Sequence, residues 1–244
     1  MLTPTQLAQY HERGYAVGGR LLEGEALARL RASMDARIAA LPAGQRSENM
    51  PSLHYYEPYF RDLFLSPAFV NIAERIFGPD LALFTSFAIS KRPGDGLPVA
   101  WHQDSAFFPI APMATFTLWL AVDNSTRENG AMQVIAGSHR ERRVVPHDVD
   151  QGDGSVLLLH LGGFRPDQAV DVELTAGGFS VHDPFILHSS PPNRSAKRRC
   201  GITIKYVSTD VRLDRGFVSP TGFDWRGVLL YHARDARGRL NYFN

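Results

Sequence analysis

A single cysteine, Cys200, stands among the 244 residues, so no internal disulfide can form and the fold has no need of an oxidising compartment. Long apolar runs are also missing. No unbroken stretch approaches the roughly 20 residues needed to span a bilayer, and the opening MLTPTQLAQYHERGYAV lacks the apolar core of a secretory signal. Neither sign of charge prevails: Lys+Arg 26 against Asp+Glu 25 leaves +1, without the basic excess that draws a protein to nucleic acid or anionic lipid. There is no repeat at a fixed period, and the Pro/Gly clusters at 93–98 and 191–193 are too short for linkers and read as turns. These absences predict one cytoplasmic domain, with no nucleic-acid or membrane partner, that meets a small molecule at a local site.

What is present is a chain with 44% hydrophobic residues, enough to bury a sizeable core. Thr3 or Thr5 can cap a first helix, leucines and alanines recur at helical spacing from Leu21 to Leu41, and a third helix is expected over Pro67–Phe77. Their apolar faces need a sheet to cover. After Pro79 the texture changes to short runs rich in β-branched and aromatic residues: LALFTSFAI, TFTLWLAV, AMQVI, SVLLLHL, AVDVEL, FSV, FILHSS and CGITIKYV. No helix of the kind a parallel βαβ arrangement requires is expected beyond Phe84. The prediction is a mainly β fold, a jelly roll, with an N-terminal helical layer over 1–80, a jelly-roll core over 81–210 and a C-terminal extension over 211–244.

The most informative stretch is WHQDSAFF. His102 and Asp104 are two apart, so on a strand they share one face. A second imidazole from elsewhere would complete the set of two histidines and one carboxylate that holds Fe(II) and leaves adjacent positions open. His188 in FILHSSPPNRS is the best candidate for it. His182 in VHDPFILH competes, and a supporting role beside the metal suits it better. Eleven residues beyond His188, Arg199 opens the strand RCGITIKYV, and a guanidinium fork suits the far end of a dicarboxylate; Lys205 and Lys91 are the alternative cations. On this strand Ile202, Ile204 and Tyr206 form an apolar face, while Arg199, Gly201, Thr203 and Lys205 form a polar one that either lines a wet pocket or faces solvent. TFTLWLAV divides likewise, with Thr115, Thr117, Trp119 and Ala121 opposite Phe116, Leu118, Leu120 and Val122.

These residues resemble the phytanoyl-CoA dioxygenase family of Fe(II)/2-oxoglutarate oxygenases through most of the chain. The helical start, the HxD of WHQDS, the turn ENGAMQVIAGSHR and above all HSSPPNRSAKRR are similar to that family's motifs. The resemblance implies a double-stranded β-helix, Fe(II) held by His102, Asp104 and His188, and 2-oxoglutarate gripped by Arg199. It implies that Ser190, Trp119 and Gln103 also contact the co-substrate, although strand alternation turns Gln103 away. With O2 as second co-substrate, it implies hydroxylation of a small molecule with release of succinate and CO2, or desaturation, epimerisation or ring formation. Related halogenases carry a small residue where Asp104 stands, so halogenation is disfavoured.

Blander readings stand beside these. Lys197 and Arg198 need no ligand if they border a solvated strand entry, and His139, His147 and His160 read as ordinary polar residues. The aromatic segment LHYYEPYF at 53–60 is core packing or a lid, with Tyr55 as a substrate candidate, and Phe107 beside the HxD pair poses the same question. Rival functions are a binding module with a structural metal, which would have no use for Arg199 at its spacing, and a metal-dependent isomerase or lyase, which would not consume 2-oxoglutarate.

Overall fold

The computed structural model describes residues 1–149 and 154–235. Five α-helices precede Asp80: α1 Pro4–Arg13, α2 Gly24–Ala39, α3 Leu53–Tyr56, α4 Pro58–Phe64 and α5 Pro67–Phe77. Thr3, rather than Thr5, caps α1: its hydroxyl accepts from the Gln6 amide while the Gln6 side chain accepts from the Thr3 amide. The second helix begins later than its leucine pattern suggests, because the amides of Leu21 and Leu22 both bond the Gly177 carbonyl. The 53–60 segment folds as α3 and the start of α4, and it is divided in use: Leu53, His54 and Phe60 are buried, whereas Tyr56 is exposed.

The strands are β1 Tyr15–Arg20, β2 Met50–Pro51, β3 Asp80–Lys91, β4 Val99–His102, β5 Ile110–Ala111, β6 Thr115–Ala121, β7 Met132–Val134, β8 Asp148–Val149, β9 Leu159–His160, β10 Val170–Val172, β11 Gly178–His182, β12 His188–Ser190, β13 Arg199–Ser208, β14 Arg212–Leu213 and β15 Tyr231–Asp235. A large antiparallel sheet runs β1-β11-β6-β13-β3-β15, with β2 also on β3, and a smaller one runs β10-β7-β12-β4. Two sheets of this kind, joined by crossovers, make a jelly roll. The large sheet takes strands from outside 81–210 at both ends: β1 and β2 come from within the helical layer and β15 from the extension. Of SVLLLHL, only Leu159–His160 is strand, paired with Asp148–Val149.

Alternation along the central strands sorts the two faces of the large sheet. Phe116, Leu118 and Leu120 of β6, Phe179 and Val181 of β11, and Ile202, Ile204 and Tyr206 of β13 join Leu30, Met34, Phe60, Phe64 and Phe69 of the helices in one core. Burial of an apolar side chain contributes about 1.5–3 kcal/mol, so this interface dominates the stability of the fold. The opposite face, with Thr117, Trp119, Thr203 and Lys205, looks toward the smaller sheet. Among the described residues no helix is long and apolar enough to cross a membrane.

Candidate metal centre

Between the sheets lies a partly open cavity of about 430 Å³. Its chemistry is set by two rows of paired residues. In the smaller sheet, β12 runs antiparallel to β4 with His188 directly opposite His102, and the ring centroids are 4.0 Å apart. Gln103 continues the extended backbone, so Asp104, the first residue of a 3-10 turn, returns to the face of His102. His102, Asp104 and His188 thus present one ligand atom each, all within 4.8 Å of one another and all buried. Asp104 Oδ1 is 3.9 Å from His102 Nε2 and 4.0 Å from His188 Nε2.

The tautomers follow from the backbone. His102 Nδ1 is 2.8 Å from the Ala100 carbonyl and His188 Nδ1 is 3.0 Å from the Ile186 carbonyl. A carbonyl only accepts, so each Nδ1 carries the proton and each Nε2 lone pair faces the cavity. Burial pulls the His102 pKa down to about 4 and that of His188 well below the ordinary histidine value, which keeps both neutral at pH 7, as a metal requires.

The second row crosses the large sheet. Thr117 of β6 pairs with His182 on β11 and with Lys205 on β13. All three reach Asp104 Oδ2: the Thr117 hydroxyl donates at 2.5 Å, Lys205 Nζ stands at 3.2 Å, and His182 Nε2 lies at 3.3 Å outside hydrogen-bond alignment. Burial by itself would raise the Asp104 carboxyl, but Lys205, His182 and His188 hold it well below the usual range. The carboxylate is thereby held by one oxygen while the other points at the imidazoles.

Arg199 lies at another end of the cavity. It is 1% exposed, its guanidinium sits 4.8 Å from the Trp119 ring centre, and among the described residues Nε and Nη1 have no hydrogen-bond partner. Burial lowers its pKa to about 10, so it is a cation at neutral pH without an acid beside it. Gly201 makes this stacking possible, since a Cβ there would fall 2.1 Å from Trp119 Cζ2. Lys91 is no alternative. Its Nζ donates to Ser190 Oγ at 2.7 Å, the Ser190 carbonyl at 3.1 Å and the Pro191 carbonyl at 2.5 Å, and the side chain does not line the cavity.

Of the other residues singled out from the sequence, Trp119, Ser190 and Phe107 line the cavity, with Phe107 edge-on to His102. Gln103 does not. Its amide donates to the Phe185 carbonyl at 2.7 Å and the Arg143 carbonyl at 3.1 Å and accepts from the Val145 amide at 2.8 Å, so it braces two loops behind the site. Tyr55 is also outside the cavity lining: its hydroxyl bonds the Leu229 backbone and its ring packs on His54 and Tyr231. The sequence reading missed Thr117 and Lys205 as contacts of Asp104, although it had placed both on polar strand faces. It also missed Thr221, Gly222, Phe223 and Trp225, through which the C-terminal extension walls the cavity.

Fold and site together define a jelly roll with a buried cluster of two histidines and one carboxylate. Residues 2–201 match the family model for phytanoyl-CoA dioxygenase (PhyH), and the chain belongs to that family. It is 29% identical over 160 residues to the probable alpha-ketoglutarate-dependent hypophosphite dioxygenase of Stutzerimonas stutzeri, an alignment covering 64% of this chain and 56% of that protein. It is 25% identical over 239 residues to the peroxisomal phytanoyl-CoA dioxygenase of Rattus norvegicus, covering 87% and 70%. The chain spans little more than half the length of several curated relatives that it matches. Among solved structures it is similar to EvdO2 from Micromonospora carbonacea var. aurantiaca, at 25% identity and TM-score 0.72, with 85% of this chain and 91% of that one covered. The carbocyclase SnoK from nogalamycin biosynthesis shares the fold at TM-score 0.73 and 22% identity, with 95% and 96% covered.

Proposed function

We propose that this protein is an Fe(II)- and 2-oxoglutarate-dependent dioxygenase that hydroxylates a small molecule in the cytoplasm. The observation that carries the reading is the buried Arg199, whose Nε and Nη1 have no hydrogen-bond partner among the described residues, in the same cavity as His102, Asp104 and His188. A metal-binding module or an isomerase needs the cluster but not the cation. An uncompensated buried charge costs several kcal/mol, so its retention points to an anion that comes and goes.

In this reading His102 Nε2, His188 Nε2 and Asp104 Oδ1 hold the ion, and Thr117, His182 and Lys205 restrain the remaining oxygen of Asp104. The donor set of two imidazoles and one carboxylate suits non-haem Fe(II). The guanidinium of Arg199 takes the distal carboxylate of 2-oxoglutarate, with Trp119 beneath it. Ser190 Oγ, oriented by Lys91, borders the same end. When bound, iron with 2-oxoglutarate and O2 supplies the oxidation: the oxoacid becomes succinate and CO2, one oxygen atom enters succinate, and the other converts a C–H bond to an alcohol. The protein's part is to hold these groups in register and to keep other reductants out. Asp104 fills the corner that a halide would need, so oxygen insertion is the expected outcome.

The test is spectroscopic. Adding 2-oxoglutarate to the Fe(II)-loaded protein without oxygen should produce the weak visible absorption of the chelate, which should be lost in His188→Ala. Absence of that band in wild-type protein carrying stoichiometric iron would overturn the proposal, and an unchanged band in His188→Ala would move the second imidazole to His182.

A further inference from the structure

We infer that the part of the cavity around Lys205 is built to receive a monoanionic substrate, an apolar or aromatic carboxylic acid whose carboxylate meets the Lys205 ammonium. This deepens the reading of the site as an iron and 2-oxoglutarate centre and rests on it.

The first ground is charge. Among the described residues lining the cavity, Asp104 is the one acid, while Arg199 and Lys205 are both cations. Fe(II) and the 2-oxoglutarate dianion cancel each other, and neutral His102 and His188 add nothing. One positive charge is left over. Asp104 is drawn to the metal and Arg199 to the co-substrate, so the surplus falls on Lys205, which is 6% exposed. A buried ammonium in that position is stabilised by an incoming anion.

The second ground is placement. Lys205 and Arg199 share a face of β13 six residues apart, roughly 20 Å along the strand, and their heads are engaged differently: Arg199 over Trp119, Lys205 beside Asp104 and 5.3 Å from the Phe108 ring centre. Two cations arranged in this way serve two ligands. Lys205 has three N–H groups, and its ammonium stands 3.2 Å from Asp104 Oδ2 as an ion pair.

The third ground is the wall next to it. Phe107, Phe108, Phe223 and Trp225 line the cavity here, with Trp225 packed on Phe108 at 5.9 Å between ring centres. Trp225 is 4% exposed and its indole N–H has no hydrogen-bond partner among the described residues. A ligand with an apolar body and an acceptor-rich head matches these surfaces; a polycation or a sugar does not. The carboxylate would then lie next to the metal ligand Asp104 but outside the metal's own coordination, with the body of the acid against the aromatic wall.

The experiment uses the full chain loaded with Fe(II) and saturating 2-oxoglutarate under anaerobic conditions. It is titrated calorimetrically with phenylalkanoic acids of increasing chain length and with the primary amide of each. At least one acid should bind roughly 10-fold to 100-fold more tightly than its amide, the range expected of a charge-assisted hydrogen bond. That preference should vanish in Lys205→Met and persist in part in Lys205→Arg. Amides that match the acids, no acid binding up to millimolar concentration, or a preference that survives in Lys205→Met would overturn the inference. So would acids that abolish the visible iron–2-oxoglutarate band, since they would be occupying the Arg199 end. If the band never forms in wild type, the underlying reading fails; if it forms and the acids gain nothing over the amides, this inference alone fails. Should Lys205→Met lose the band by releasing Asp104, the acid–amide comparison in wild type still decides.

Discussion

Replacing Arg199 with Met removes a charge while leaving an apolar stem over Trp119, and the structure predicts two effects of opposite sign. Burial pulls the guanidinium pKa from 12.5 to about 10, a drop that corresponds to roughly 3 kcal/mol of unfavourable burial. The loss of the contact with Trp119 at 4.8 Å returns about 0.5–2 kcal/mol of that. The metal-free variant should therefore be more stable than wild type, by about 1–2.5 kcal/mol. Affinity for 2-oxoglutarate should move the other way, because a charge-assisted pair in a partly dry pocket contributes about 2–4 kcal/mol, or roughly 30-fold to 1,000-fold. Arg199→Lys should recover part of that loss, since a point charge lacks the planar fork. Chemical denaturation of the metal-free proteins reads the first effect, and anaerobic titration of the visible band reads the second. A variant that is less stable than wild type and binds 2-oxoglutarate with an unchanged midpoint would refute the reasoning, because it would mean that the guanidinium is compensated inside the protein.

Gln103→Ala should lower stability by about 2–3 kcal/mol through three lost hydrogen bonds and leave the 2-oxoglutarate midpoint where it is; a large shift of the midpoint would return Gln103 to the co-substrate site. Gly201→Ala drives a methyl into Trp119, so it should cost about 1–3 kcal/mol and alter the near-UV circular dichroism. His54, buried against Ser86 Oγ at 2.6 Å, has its pKa lowered by burial to about 4. Its folded pKa lies below the ordinary 6.5, so its contribution is fully present above pH 6.5 and is lost as pH falls toward 4, by about 3 kcal/mol at most. Urea midpoints of the metal-free protein across that window should slope less steeply in His54→Gln than in wild type, the remaining slope coming from His102 and His188, whose pKa values burial also lowers.

Where a strand alternates cleanly, the sequence was readable down to single residues. The two faces of TFTLWLAV and RCGITIKYV emerge as the core face and the cavity face, and the HxD spacing brings His102 and Asp104 together although the strand ends at His102. Reading failed where long-range pairing overrides local pattern. YAVGGR, with Gly18 and Gly19, has little strand character of its own, and it becomes β1 because β11 pairs with it and Phe179 occupies the space that a side chain at Gly18 would need. SVLLLHL has abundant strand character, yet Val156 and Leu161 bond single carbonyls of Pro98 and Trp101 instead of forming a ladder, and Leu158 is exposed. The convergence of Thr117, His182 and Lys205 on one oxygen depends on the registers β6–β11 and β6–β13, which no spacing within a strand encodes. Trp225 lies in a Gly- and Pro-bearing stretch without a period, and the packing of Phe84, Phe108 and Phe223 against it gives it a place in the cavity wall.

The most direct test of the central claim is isotopic. Turnover of 2-oxoglutarate under ¹⁸O₂ with Fe(II) should yield succinate carrying one labelled oxygen together with an equal amount of CO2, and His188→Ala should yield neither. Succinate that forms without iron, or that carries no label from O2, would contradict the assignment of this cavity as an iron and 2-oxoglutarate centre.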